Sequence, residues 1–343
     1  MTSEYFEQLW QAVTAGDEYA AGDVVVSALG AGIDAESVLL DVIGGVQHKV
    51  GLEWAANRIT VAQEHAATAI NDRVLAALGY VLPRPRANRS RVAVACVDGE
   101  WHAMPARLLA EVLKLRGFRV DYLGAQVPAP HLVAHLHRTG PDTVALSASL
   151  ATRLPAAHAT ITACQAAATP VIAGGAAFGP DGRYARLLGA DAWAPEARAA
   201  ADFLTSPLPR PRAGHQPLDD LPHLADQEYT LVSRTSSRLV KNVMAGLEDR
   251  VPSMREYTLR QRQHAAEDIA HIVEYLAVSL YVSDEELFTG FLTWTAEILT
   301  ARQVPAGSLL PALDLLRGQL RDFPRSQAML DTAYTRLSDT LTQ

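Results

Sequence analysis

Cysteine is nearly absent from this 343-residue chain, which carries only Cys96 and Cys164. They fall in segments of strand and helix character, so neither a disulfide framework nor a Cys-rich zinc site is available. Lysine is scarce while arginine is plentiful, and the formal charge is −8. That balance gives no electrostatic drive toward DNA, RNA or an acidic membrane. No apolar run approaches the roughly 18 residues of a membrane span. The N-terminal MTSEYFEQLW carries acids, where a signal peptide is basic. No internal repeat stands out. These absences lead us to expect a soluble cytoplasmic protein that engages neither nucleic acid nor membrane.

What is present is enough apolar sequence, 49% of the chain, for more than one core. Two Pro/Arg-rich stretches, VLPRPRANRS (81–90) and SPLPRPRAGHQPLDDLP (206–222), read as linkers, because proline removes backbone donors and stiffens the chain. The domains expected are therefore 1–81, 90–206 and 225–343, with a linker over 207–224. In the first, Tyr5, Leu9, Trp10 and Val13 recur at helical spacing. Asp17, Asp34 and Thr60 are placed to cap three further helices, which predicts a four-helix bundle. In the second, RVAVACV, RVDYLG, TVALSAS, PVIAGG and DAWAP each precede a helical stretch, at 103–116, 129–138, 155–167, 181–188 and 196–204. Such alternation predicts a doubly wound, Rossmann-like parallel sheet, α/β in class. The third is all-α, bundle-like or globin-like. A helix near 28 residues long is expected over 254–282, Ser283 or Asp284 caps the next, Pro305 starts another, and Pro324 stops that one before the last.

One histidine stands at a strand–helix turn. In VACVDGEWHAMPARLLAEVL (93–112), Gly99, Glu100, Trp101 and His102 follow the first strand of the alternating region. Ligands of doubly wound sheets lie beyond the carboxyl ends of the strands. Neutral imidazole ligates metals near pH 7, and a neighbouring carboxylate commonly orients it. Asp98 or Glu100 can serve in that role. A lone loop histidine is ordinarily just solvated, so its company decides.

The stretch DGEWHAMPARLLAEVLKLRGFRVDYLGAQVP resembles the cobalamin-binding module of methionine synthase and of the light-sensing CarH repressors. Ser147 stands 45 residues after His102, and Gly174 and Gly175 stand 27 and 28 after Ser147, spacings that suit that family. The resemblance covers about 90–205. It implies that His102 is the lower axial ligand of cobalt, displacing the cofactor's own base, and that Glu100 orients it. The base would enter a slot where Gly174-Gly175 removes side chains, Ser147 and Ser149 bond it, and Phe178 covers it. Two positions depart from the pattern: Pro105 replaces a usual Gly, and Ser149 a frequent Leu.

In GLEWAANRITVAQEHAATAI, Trp54 is followed ten residues later by Glu64-His65. This is similar to the helical cap of the CarH repressors, in which a Trp and a Glu-His pair border the upper axial ligand. There a His follows the Trp and can capture cobalt after photolysis. Here the residue is Ala55, so that route is missing, and water or His65 is the alternative upper ligand. No helix-turn-helix precedes the bundle, so direct repression of DNA is not expected.

In the third region Tyr257, His264 and His271 fall at 7-residue steps. Arg255 and Arg262 form a second such pair, Arg260 and Tyr275 lie a turn from the histidines, and Trp294 sits in the next helix. Arginine forks suit carboxylates and aromatic walls suit a flat tetrapyrrole. The three-part architecture resembles the photocobilins, which join a cobalamin photoreceptor to a bilin domain. That resemblance implies adenosylcobalamin and biliverdin as chromophores, a light-dependent homo-oligomer or a downstream signalling partner, and no enzymatic activity. With no Cys beyond 164, thioether attachment within that domain is excluded. Haem, on His264 or His271, is the competing ligand there. A corrinoid methyl carrier is the competing function, and an assembly role the competing use of the third domain.

Overall fold

A computed structural model of the chain describes residues 2–82, 85–211 and 221–342. The chain forms two compact units, Met1–Leu218 and Asp219–Gln343. Most of the linker expected over 207–224, namely 212–220, lies outside the described residues, as do Pro83 and Arg84 of the earlier Pro/Arg stretch.

The first unit opens with a helical bundle. Helix α1 spans Thr2–Ala15 and α2 spans Glu18–Gly30. A continuous run follows, through α3 (Ala35–Ser37), a π-helical stretch Val38–Gly44 and α4 (Gly45–Ala55), before α5 (Val61–Val81). The starts are set by side chains. Asp17 accepts from the amides of Tyr19 and Ala20, Asp34 from that of Ser37, and Thr60 exchanges hydrogen bonds with Gln63.

A five-stranded parallel sheet follows, in the order β2-β1-β3-β4-β5. Its strands are β1 (Arg91–Cys96), β2 (Arg119–Gly124), β3 (Thr143–Ser147), β4 (Val171–Gly174) and β5 (Ala192–Ala194). The intervening helices are α6 (Met104–Leu115), α7 (Ala129–Thr139), α8 (Leu154–Ala166) and α9 (Arg183–Leu187), with α10 (Ala197–Phe203) after the last strand. Right-handed crossovers send α6 to one face of such a sheet and α7 to α9 to the other. The α6 face shares one apolar core with the bundle, through Val42, Val46, Leu75, Leu108 and Leu113 among others. Gly44 permits this close packing, since a Cβ there would stand 3.3 Å from a Leu108 methyl; within the bundle, a Cβ on Gly45 would stand 3.0 Å from the Phe6 ring. Ion pairs reinforce the contact: Arg116 grips Glu36 at 2.8 and 2.9 Å, and Arg198 grips Asp41 at 2.8 and 3.0 Å.

Both cysteines are buried, and burial pushes each thiol up to about 12. They are protonated packing residues.

The second unit is helical, with α11 (Glu228–Arg250), α12 (Leu259–Val282), α13 (Glu285–Ala301), α14 (Leu309–Gln319) and α15 (Pro324–Thr342). The long helix begins at Leu259, five residues later than the sequence led us to expect. Thr258 and Gln261 form a reciprocal cap there, and 252–256 turns as a separate 3₁₀ segment. Of the two candidate caps for α13, Asp284 takes the role, while Ser283 ends α12 in a left-handed conformation. Pro324 starts the final helix, where the absence of an amide proton costs nothing. No helix among the described residues is long and apolar enough to cross a membrane.

A buried carboxylate ties the two ends of this unit together. Glu228 accepts from the backbone amides of Arg325 (2.9 Å) and Ser326 (2.7 Å) and from the Ser326 hydroxyl (2.7 Å), capping α15 from a distant part of the chain. Glu228→Ala is expected to lower the stability of this unit by about 2 kcal/mol, because three donors lose their acceptor. Urea denaturation followed by circular dichroism measures it, and an unchanged midpoint would show that water replaces the cap.

Candidate functional site

Strand order reverses between β1 and β3, so the loops leaving these two strands part and open a crevice at their carboxyl ends. The β1 loop carries Glu100 and His102, and the β3 loop carries Ser149 and Leu150. Glu100 is fully buried. One of its oxygens accepts from the His102 amide (2.9 Å) and lies 2.7 Å from His102 Nδ1. The other accepts from the amides of Ser149 (2.7 Å) and Leu150 (3.0 Å). Burial by itself would raise the Glu100 pKa, but the hydrogen bonds from His102, Leu150 and Ser149 outweigh it and hold the acid at about 2. With Glu100 ionised, Nδ1 carries the imidazole proton and Nε2 is the nitrogen left for another partner. The ring stays 57% exposed. Its hydrogen bond to Glu100 raises its pKa, partial burial opposes this, and the charges of Glu100 and Glu64 add to the rise.

A cavity of about 110 Å³ lies between the sheet and helices α6 and α10. Most of its wall is small side chains, among them Ala106, Ala145, Ala173, Ala194, Ala197 and Ala200. Ser147, Gly174 and Ala194 are aligned across β3, β4 and β5, giving a row of minimal side chains at the carboxyl edge. Gly175 answers a different constraint. Its φ is +100°, and a Cβ there would stand 2.2 Å from the Ala148 carbonyl oxygen. Gly174 thus leaves room at the cavity, while Gly175 lets the β3 and β4 loops touch.

The structure therefore gathers Glu100, His102 and the backbone of Ser149, with Ser147, Gly174 and Gly175 lining the adjoining cavity. From the bundle, Glu64 approaches closely enough for its charge to act on His102. His65 pairs with Glu64 at 2.8 Å but leaves its ring 76% exposed. Trp54 is half-buried at the end of α4, packed against the shared core. Gly99 sits at the turn with φ +75°, and Trp101 is exposed. Phe178 is not among the residues lining the cavity; it is fully buried in the short 3₁₀ turn Ala176–Phe178. Ser149 contributes its amide to Glu100, and its hydroxyl is not among the lining groups. Pro105 is accommodated in the first turn of α6.

The residues singled out in the second unit do not converge. Tyr257 lies before α12, outside the helix, so the 7-residue stripe begins only at His264. His264 is exposed and pairs with Glu267 at 3.3 Å, with Arg260 3.4 Å away, and His271 is exposed. Arg255 belongs to the 3₁₀ turn, and Arg262 is engaged by Glu248. Trp294 ends an aromatic series in which Tyr275 and Phe291 stack at 3.7 Å. It also borders an open groove of about 450 Å³ with Thr293, Glu297 and Arg336, which none of Tyr257, Arg260, His264 or His271 lines. Sequence periodicity missed Arg336 because it lies on α15, far along the chain. It also missed the alanines of the cavity wall; of these, Ala194 continues the in-register row of Ser147 and Gly174.

Residues of this kind fit a corrinoid. Glu100 engages the imidazole through Nδ1 and leaves Nε2 for another partner, and the cavity at the carboxyl edge of the sheet has small-residue walls that a flat group can approach. Comparison with known proteins agrees. Residues 90–203 match a family described as B12 binding domain, and residues 5–78 match a second family of the same description. The chain is 34% identical over 143 residues to the HTH-type transcriptional repressor CarH of Myxococcus xanthus, covering 41% of this chain and 46% of CarH. It is 26% identical over 147 residues to the trimethylamine corrinoid protein of Methanosarcina barkeri, covering 42% of this chain and 68% of that one. The fold resembles the structure of the M. barkeri monomethylamine corrinoid protein, with a TM-score of 0.52 at 21% identity, over 59% of this chain and 98% of that one. The chain thus carries B12-binding domains, and it spans less than half the length of the repressor it matches.

Gly175→Ala is expected to destabilise the first unit by about 2–4 kcal/mol, since a side chain there meets backbone that cannot swing aside. Thermal denaturation checks it, and a parent-like melting temperature would mean that the two loops can separate freely.

Proposed function

We propose that this protein is a light sensor that binds adenosylcobalamin between the helical bundle and the sheet. The observation that carries the reading is the buried Glu100 presenting His102 at the mouth of the small-residue slot. His102 would hold the cobalt of the cofactor through Nε2, with Glu100 fixing the tautomer and direction of the ring. Ser147 and Gly174 would line the space for its nucleotide base. Trp54, Glu64 and His65 of the bundle would enclose its adenosyl group. When bound, the cofactor supplies a light-labile cobalt–carbon bond; the chain supplies ligation and the shape of the cage. The bundle is held on α6 and α10 by a shared core and by the Glu36–Arg116 and Asp41–Arg198 pairs. A change in what Trp54 packs against can therefore shift the bundle and alter the surface offered to a second copy or a signalling partner. The resemblance of the bundle to light-sensing caps supports this reading over a catalytic one.

A second reading is a corrinoid methyl carrier without light response. It is favoured by the likeness to the trimethylamine corrinoid protein and by Ala55, which removes the histidine seen after the Trp in the light sensors. For the second unit we propose a globin-like holder of biliverdin. Its support is the photocobilin-like architecture and the groove where Trp294 and Arg336 could meet a flat ring and a propionate.

Reconstitution in darkness tests these readings together. A sensor retains adenosylcobalamin and bleaches under green light. A protein whose spectrum ignores illumination and which retains methyl- or hydroxocobalamin instead is a carrier. Added biliverdin should give a red band that co-elutes with the protein, and its absence would remove the bilin from the proposal. His102→Ala should abolish the histidine-ligated spectrum. Glu100→Gln should weaken corrinoid affinity about 10–100-fold while leaving binding detectable. EPR of the cobalt(II) form reads the nitrogen ligand directly, and an unchanged signal in His102→Ala would refute the assignment.

A further inference from the structure

Arg153 closes the one-turn helix Ala151–Arg153 after β3 and is the N-terminal flanking residue of α8. Its Nε is buried and has no hydrogen-bond partner among the described residues. Its guanidinium overhangs the turn that presents His102: a Cβ on Gly99 would stand 2.9 Å from Arg153 Nη1. Its charge reaches His102. Glu100 cannot serve it, because both carboxylate oxygens already take two donors each. The position is also unfavourable for a cation, being next to the positive end of a helix dipole. A buried donor left unsatisfied is destabilising in its own right. The fold thus holds a guanidinium with an unused donor beside the candidate ligand histidine, at the crevice between β1 and β3.

We infer that Arg153 is a positioning residue for the corrinoid, donating to an oxygen at the periphery of the bound cofactor. The acceptor is either a carboxamide carbonyl of the corrin or the phosphodiester of the nucleotide tail; both are oxygen acceptors that the forked guanidinium matches. Gly99 is what leaves the guanidinium its place over the turn. The inference rests on the cobalamin reading above and adds to it a residue that neither the motif spacings nor the slot pointed to.

The test uses the full chain as parent, Arg153→Ala and Arg153→Lys. Each is titrated by absorbance with hydroxocobalamin and with cobinamide, which lacks the nucleotide tail. Arg153→Ala should weaken hydroxocobalamin about tenfold or more, the scale of one charge-assisted hydrogen bond. Lysine should restore only part, because it keeps the charge and loses Nε. It also keeps the readout should the alanine variant fail to fold. Cobinamide weakened to the same degree assigns the carboxamide, whereas cobinamide unaffected assigns the phosphodiester. After chemical reduction of the bound cobinamide to cobalt(II), EPR should still show the His102 nitrogen in every variant that binds, which separates loss of a peripheral contact from collapse of the turn. Equal affinities of parent and both variants for both corrinoids would overturn the inference alone. A parent that binds neither corrinoid would overturn the cobalamin reading, and the inference with it.

Discussion

The site is organised around a carboxylate with no exposure to water that nonetheless stays ionised. An isolated charge in such a place would cost several kcal/mol. Glu100 avoids that penalty by accepting four hydrogen bonds, two from His102 and two from the backbone of the opposing loop. The same bonds close the β1 loop against the β3 loop and fix which nitrogen of His102 faces outward. Local electrostatics and loop geometry are therefore one constraint. The strand order places this junction where a doubly wound sheet can receive a ligand.

Around the junction, small size does what polarity does at its centre. The row Ser147, Gly174 and Ala194, with the alanines of α6 and α10, leaves open the cavity at the carboxyl edge of the sheet. The bundle closes over the α6 face through an apolar core. Its perimeter ion pairs are partly exposed, so each contributes at most about 1 kcal/mol and sets orientation more than strength.

The second unit has a separate logic. Its core is apolar and continuous, and its most constrained polar feature, Glu228 with Arg325 and Ser326, is structural. The residues that looked like a tetrapyrrole face on a helical wheel are mostly solvated. The Thr258–Gln261 cap starts α12 after Tyr257 and removes it from the stripe. The open groove beside Trp294 pairs that residue with Arg336 of α15.

The sequence by itself determined the helical bundle, the five alternating strand–helix units and the all-α remainder. These follow from short-range rules: apolar periodicity, and capping by Asp17, Asp34 and Thr60. The residues alone offered Asp98 or Glu100 as the partner of His102, and the family resemblance implied Glu100; the structure shows that contact. Only the tertiary structure decided that Ser149 and Leu150 complete the Glu100 shell, that Gly175 is required by the carbonyl of Ala148, and that Arg153 overhangs Gly99. It likewise placed Phe178 in the interior and Arg336 beside Trp294. Each of these is a contact between segments far apart in the chain. Such contacts depend on the order of strands and the packing of helices, which no local pattern of residues encodes.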